Sequence, residues 1–490
     1  MTRMAFPAAL LASAAVLAAT PAQADTLRDA LALAYEANPT LLAARAQQRA
    51  TDEGVPIERS AGLPSVTATG GYTEFVEGAA GTGPDRVLSA GVDLGVPLYS
   101  GGAVRNSVRA ATNRIEAGRA DLRGTESAIF TRVVAAYLEV LRNEAIVALS
   151  ANQVEVLSVN LQATTDRFEI GDLTRTDIAQ SQSRLALAEG DLQSARSNLI
   201  GARENYIALV GKAPTDLQPP PPLPPIPASA NDAVAVALDS NPDLIAARER
   251  AEASEFDIAV AGSSRLPRVS AFAGYDYTNA LNSLRLQNGS VGPVQTGRDA
   301  QVGLSLRVPI FQGGLPAALE RQAQAVSAAA LENVIAAERD VIAQTRASYA
   351  SWQAANAIID SAQSAVTAAT LSLEGVRAEN SIGNRTILDV LNAEQELLSA
   401  RVQLVSARRN AYVAGFNLLA AMGKAEARDL GLDDEGVLYD PVVNYDRVKG
   451  AVWDWSRDPD PAAQATRTVD IPAADASIPA TQIVDDAPLR

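Results

Sequence analysis

Two aspartates occupy matching places in this 490-residue chain. Asp177 follows Gly171 by six residues, Asp389 follows Gly383 by six, and each stands three residues after a threonine, Thr174 or Thr386. Thr176 adjoins the first aspartate, and Arg385 precedes the second by four. A carboxylate, a hydroxyl and a guanidinium at this spacing could do three kinds of work. Proton transfer or nucleophilic attack wants a tuned base, and the chain has no histidine and no cysteine to form such a pair or a thiolate metal site. Helix capping needs only what is present: Thr-x-x-Asp has the form of a capping box, and the glycine before it supplies the positive φ of a turn. As fixed charges, the same groups could pair with one another or attract ions. The remaining paired carboxylates lie on helices patterned for coiled coils, without a glycine-rich phosphate loop. An enzyme therefore has no support, and no catalytic residue, metal or cofactor is expected.

The elements that position these turns are written twice. "DALALAYEANPTLLAAR" from Asp29 returns as "DAVAVALDSNPDLIAAR" from Asp232, an offset of 203 (29 to 232), which Leu63-Pro64 and Gly71-Tyr72 keep. From Val96-Pro97 (Val308-Pro309) onward the offset is 212 (96 to 308), through Tyr137/Tyr349, Gly171/Gly383, Asp177/Asp389 and Gly211-Lys212/Gly423-Lys424. One unit has become two, and the extra nine residues belong in a surface loop, expected within 279–297. The units are residues 25–212 and 230–424, joined by a proline-rich connector, 213–229, of extended polyproline type. Residues 425–490 are acidic and proline-bearing and are expected to be largely disordered, with the stretch from Tyr439 to Lys449 packing on the body. Residues 1–24 read as a secretory signal peptide, with Arg3, an apolar run through Leu10, Leu11, Val16 and Leu17, and the A-x-A site Ala22-Gln23-Ala24. Without cysteine, neither disulfides nor a thiol for a lipid anchor is expected. The net charge of −16 argues against nucleic acid as a partner.

Proline is absent from Leu98 to Ala213 and again from Ala317 to Asp440, which predicts very long helices. Each run is broken by one glycine turn, so two antiparallel hairpins are expected, over 103–211 and 316–423. Arms of about 65 residues would reach roughly 100 Å. In the first return arm Ile178, Leu185, Leu192, Leu199 and Tyr206 recur every seven residues, interleaved with Ser181, Ala188, Ala195, Ala202 and Leu209. The second has Val390, Leu397, Leu404, Ala411 and Leu418, interleaved with alanines from Ala393 to Ala421; a sustained seven-residue repeat predicts coiled coil. Strands fit only where the proline-free runs stop. Strict alternation from Leu88 to Leu98 and from Ala300 to Ile310, each preceded by a weaker alternating segment, predicts one β-hairpin per half, about 64–100 and 267–312. Strands of about ten residues match a tilted crossing of an outer membrane and equally a half-buried soluble sheet. In a membrane, four strands cannot close a barrel and an open edge in lipid is not tolerated, so the barrel would be shared. Two copies would give eight strands, plugged by side chains; three would give twelve, wide enough to conduct.

The duplication, two strands per half, Pro-x-[Tyr/Phe]-x-Gly-Gly after each second strand (Pro97–Gly102, Pro309–Gly314) and the tip Gly383-x-Arg385-Thr386-x-x-Asp389-Val390-Leu391 resemble the TolC family of outer-membrane factors over roughly Asp25 to Lys424. The resemblance implies a mainly α fold: long coiled-coil hairpins forming a trimeric helical tunnel in the periplasm, plus four strands per chain in a shared twelve-stranded outer-membrane barrel. It also implies a gate at the helical tips, with Asp389 on a ring of three carboxylates and Arg385 tied to Thr176 and Asp177 of the matching tip. Gly171 and Gly383 would mark the tips that meet an adaptor. Two positions depart from the family pattern: Asn380 stands where a latch tyrosine is expected and Asn392 where a second acid is expected. Capping alone also explains both aspartates.

The function implied is a passive exit duct working with a periplasmic adaptor and an inner-membrane ABC or proton-driven pump, in contact with outer-membrane lipid. Type I protein secretion is favoured over small-molecule efflux by the "YDPVVNYDRV" segment and the missing lipidation cysteine. A non-conducting coiled-coil scaffold of the envelope is the reading of a different class.

Overall fold

The computed structural model describes residues 25–76, 83–285, 290–435 and 438–478. The expected signal peptide lies outside them. Each half opens with short helices: α1 (Leu27–Ala37), α2 (Pro39–Asp52) and α3 (Gly54–Ser60) in the first, α6 (Ala230–Ser240) and α7 (Pro242–Gly262) in the second. A β-hairpin follows in each, β1 (Ser65–Glu74) and β2 (Arg86–Tyr99), then β3 (Arg268–Asn279) and β4 (Thr296–Arg307). Then come the long hairpins, α4 (Ala103–Glu169) with α5 (Arg175–Val210), and α8 (Leu315–Ser381) with α9 (Ile387–Ala421). α4 and α8 have 67 residues each, about 100 Å of helix. A last short helix, α10 (Pro441–Val448), follows.

The return arms bury the expected seam. Along α5, Ser181, Ala188, Leu192, Ala195, Leu199, Ala202, Tyr206 and Leu209 are buried. Along α9, Leu397 and Ala400 pack with Ala369 and Leu373 of α8, and Leu404 and Ala407 with Ala362. Alternating large residues with alanine lets the backbones approach closely, which a thicker core would prevent.

The four strands form one antiparallel sheet in the order β1-β2-β3-β4, so the two halves are joined by β2 pairing with β3. β1 and β4 are edges within the chain. β4 stops at Arg307, three residues short of the alternation that reaches Ile310. The reason is register: β3 begins at Arg268, opposite Arg307, so nothing in the chain pairs beyond it, whereas β2 runs on to Tyr99 against Val269. Apolar side chains stand exposed on the sheet, among them Val66, Val92, Tyr275, Val302, Leu304 and Leu306. At the end far from the helices, the β3–β4 connection (280–295) is longer than the β1–β2 connection (75–85), where the extra length was expected; residues 77–82 and 286–289 within them lie outside the described residues.

One device is used twice to seat the halves. Asn38 caps α2 by accepting from the amides of Thr40 and Leu41, and its own Nδ2 donates to the carbonyl of Leu209 at 2.9 Å. Asn241 does the same for α7 and donates to Ala421 at 2.9 Å. Each Asn-Pro thus ties a helix start to the end of the returning coil, a role its sequence repetition hinted at without revealing.

The connector between the halves is extended and held by tyrosine hydroxyls. Tyr137 donates to the carbonyls of Gln218 (2.6 Å) and Asp25 (3.0 Å), Tyr412 to Pro221 (2.9 Å) and Tyr349 to Ala228 (2.8 Å). The C-terminal segment departs from the expected disorder. Ala425, Ala427 and Leu432 join the main core, α10 packs beside α2, and residues 474–477 dock on α5. There Arg203, buried against Glu144 at 2.6 Å, donates to Asp475 (carbonyl 2.8 Å, carboxylate 3.0 Å) and to the Ser477 carbonyl at 2.8 Å. Composition showed too few large apolar residues for a separate core, and the segment makes none; it borrows the body's. Residues 449–465 remain largely exposed without regular structure, and 479–490 lie outside the described residues.

Candidate functional site at the coil tips

Both hairpin tips turn through left-handed glycines, Gly171 (φ 83°) and Gly383 (φ 81°), with nothing near enough to meet an added Cβ, so the conformation rather than space requires glycine. The amide of Gly171 donates to Phe168 and that of Asp172 to Arg167, both at 2.9 Å; Gly383 and Asn384 repeat this with Asn380 (3.0 Å) and Glu379 (2.9 Å). These bonds satisfy the terminal carbonyls of α4 and α8. Both capping boxes form. Asp177 accepts from the Thr174 amide and hydroxyl at 2.8 Å each, and Asp389 accepts from those of Thr386 at 3.0 and 2.8 Å. The Thr386 hydroxyl, then its amide, hold the Asp389 carboxyl below its ordinary pKa, so it is charged at neutral pH.

Arg385 is placed differently from the expectation. Its Nε donates to Glu379 Oε2 at 2.7 Å, on its own tip, and not to Thr176 or Asp177 of the same chain. Asp177 already has one oxygen held by Thr174. Glu379, near the end of α8 and six residues before the arginine across the Gly383 turn, lies within reach on the same tip. The first tip closes with the opposite order of charges, Arg167 to Asp172. Asn380, at the expected latch tyrosine's place, donates to the Arg385 carbonyl at 2.8 Å and so holds the turn itself.

The two hairpins meet just above the tips. Leu157, Ala188 and Leu391 form a buried cluster between them, bordered by Leu185 and Ile387. Asn392 accepts from Arg184 Nη2 of α5 at 2.7 Å, so the missing second acid is replaced by an amide that joins one coil to the other. Arg377 pairs with the buried Glu394 across α8 and α9. Sequence reasoning missed Arg184 and Glu379, whose role depends on which helices become neighbours. It also passed over Ile170 and Ile382, 81% and 72% exposed beside the tip glycines, although the repeated Ile-Gly was a visible signal. Among the described residues, no group of acids forms a metal site.

The model of the family described as "Outer membrane efflux protein" matches residues 30–212 and 233–424. The chain is 31% identical to "Outer membrane efflux protein BepC" of Brucella suis biovar 1 over 92% of this chain and 96% of that one. It is 29% identical to "Outer membrane protein TolC" of Vibrio cholerae over 83% and 92%. Its fold is similar to the crystal structure of the outer membrane protein VceC from Vibrio cholerae, with a TM-score of 0.69 and 22% identity over 81% of this chain and 96% of that one. These relatives are outer-membrane channels and not enzymes, and the chain resides in the outer membrane with a helical extension into the periplasm. With both halves of its repeat matched, the chain belongs to the outer membrane efflux protein family, as a TolC-type outer-membrane factor.

Proposed function

We propose that three copies of the chain assemble into an outer-membrane exit duct for type I protein secretion. The observation that carries it is the sheet. Its two unpaired edges and exposed apolar face are tolerable in lipid only when neighbouring copies close them, and three copies give twelve strands around an open bore. The helical hairpins then continue the bore into the periplasm. At its end three Asp389 carboxylates narrow the mouth and favour cations. Arg385 with Glu379, and Arg184 with Asn392, brace the tips, while Thr176 and Asp177 face a neighbouring tip. Ile170 and Ile382, beside Gly171 and Gly383, offer apolar contacts to a periplasmic adaptor that links the duct to an inner-membrane ABC or proton-driven pump.

Among the relatives, the alkaline protease secretion protein AprF and the proteases secretion protein PrtF support protein cargo. The word efflux in the name of BepC, and the cobalt-zinc-cadmium resistance protein CzcC among the relatives, support a second reading, small-molecule efflux. Cells lacking the chain decide between them. Loss of one or more proteins from the culture medium, restored by re-expression, is the expected result. An unchanged set of extracellular proteins together with new sensitivity to dyes or detergents would overturn secretion in favour of efflux.

A further inference from the structure

Between α10 and the descending tail lies a turn that the duct does not use. α10 runs beside α2 and α3 toward the sheet. Asn444 Nδ2 donates to Asp52 Oδ2 at the end of α2 at 2.7 Å, and Tyr445 packs with Val55 of α3 and with Ala111 and Ile115 of α4. Arg59, near the end of α3, donates to the Lys449 carbonyl at 3.0 Å. β1 opens at Ser65, six residues after Arg59, so Lys449 is held near the start of the first strand. The chain then reverses, with the Ser456 amide donating to the Trp453 carbonyl at 3.0 Å. A bidentate pair from Arg447 to Asp458, 2.9 Å on each arm, closes the base.

At the head of this stapled turn stand Val452, Trp453 and Trp455, exposed by 63%, 72% and 83%. A solvated loop has no use for three such side chains together. Trp453 lies at most about 14 Å from the Lys449 carbonyl. That reach allows it to lie beside the foot of the sheet, where Val66, Leu98 and Tyr99 are also exposed. Tryptophan, with an apolar body and one N–H, favours the boundary between headgroups and acyl chains. The turn's cations are matched by acids, Arg447 to Asp458, Lys449 to Asp446 and Arg457 to Asp460, so apolar burial and not attraction to anionic lipid would hold it.

We propose that the turn 449–458 is a membrane-interface anchor, seating Trp453 and Trp455 in the periplasmic-side leaflet of the outer membrane at the foot of the barrel. This rests on the strands crossing that membrane. The anchor would fix the height of the barrel in the bilayer from outside the sheet, and would explain why the tail rises to the strands before returning to α5.

The chain's third tryptophan is Trp352, packed against Tyr349 in the coil. A Trp352→Phe variant therefore leaves the two turn indoles as the reporters. The full-length protein is placed in phosphatidylcholine vesicles, and in vesicles of the same lipid brominated near the headgroup end of its acyl chains. Flotation and ion conductance are read on the same preparations. The expected result is loss of indole emission in the brominated vesicles and protection from iodide, unchanged when phosphatidylglycerol is added. A Trp453→Phe, Trp455→Phe control, which keeps Trp352, should be indifferent to bromine. If Trp352→Phe folds poorly, the bromine effect on the unmodified protein minus that on the control gives the same answer. Emission open to iodide and blind to bromine, in protein that floats and conducts, overturns the anchor and leaves the duct standing; the turn would then serve a periplasmic protein. Protein that neither floats nor conducts overturns both.

Discussion

α4 and α8 have the same length and the same place in the repeat, and they meet different surroundings. α4 is wrapped by its own chain: α1, α2, α3, α5, α7 and α9 all lie against it, and it buries residues along most of its length from Ala110 to Thr164. α8 packs on α6, α7 and α9 and buries far fewer. The positions related by the offset of 212 show what the divergence did. Where α4 has Arg114, Arg119 and Arg123, paired with Asp257, Glu116 and Glu426, α8 has Val326, Leu331 and Ile335, all exposed in the single chain. Arginine at those places serves a surface finished within the chain, and aliphatic side chains serve one that waits for a neighbour. The return arms diverge as well, though there both positions are filled within the chain. Arg203 of α5 holds the C-terminal segment, while its counterpart in α9 is Gly415, against which Leu223 and Trp352 lie too close for a Cβ. Duplication supplied two equal hairpins, and divergence finished one within the chain and left the other with exposed aliphatic side chains, which in the proposed trimer would meet the next copy.

The largest effect should come from breaking the outward surface. Leu331→Glu with Ile335→Glu would bury two unmatched charges per subunit contact, a cost of several kcal/mol. Light scattering of the detergent-extracted protein should show trimer replaced by monomer, and Arg119→Glu in α4 should not do this. Next comes the inward surface. Arg203→Ala leaves Glu144 buried without its guanidinium, costing about 3–5 kcal/mol, and frees Asp475 and Ser477. Limited proteolysis should then cut within 449–478, while the helical body stays protected.

The tyrosine pair sharpens the comparison at smaller scale. Tyr137→Phe deprives two carbonyls of a donor, Gln218 in the connector and Asp25 at the start of the first unit, and Tyr349→Phe deprives one, Ala228. Losses of about 1–2 and about 1 kcal/mol are expected, read as lowered denaturant midpoints. Smallest is a pH effect confined to the α4 side. Glu126 accepts from the Ala427 amide at 2.6 Å, near Glu426, Arg45 and Arg123, and burial raises its pKa from 4.5 to about 6. An acid that binds its proton more tightly in the folded state stabilises that state as pH falls through 6 toward 4.5 and less as pH rises. Proteolysis after Lys424 should therefore be slower at pH 5 than at pH 7, by under about 1 kcal/mol in effective opening, and Glu126→Gln should flatten the dependence.

Much of this was legible in the residues, because the signals were local and repeated. Proline-free runs, the seven-residue seam and alternating strands each announce an element through its own period, and duplication let each half confirm the other. The tip turns were equally plain, since Thr-x-x-Asp and the preceding glycine act within one turn of helix. What stayed hidden depends on which distant segments become neighbours. Arg385 has several acids within reach of its side chain, and only the folded hairpin shows that Glu379 is nearest. Arg184 meets Asn392 across 208 residues of chain, with no pattern to announce it. The tail misled because low hydrophobicity predicts no independent core, yet a strap needs only a few anchors on a body already folded.

The central claim is that these chains enclose a conducting path, and planar-bilayer recording of the purified protein tests it most directly. The account predicts stepwise, long-lived conductance with a preference for cations, and a weaker preference in Asp389→Ala as the ring of carboxylates is removed. Protein that is trimeric and inserted, yet passes no current in either form, would contradict it and leave a coiled-coil scaffold in place of the duct.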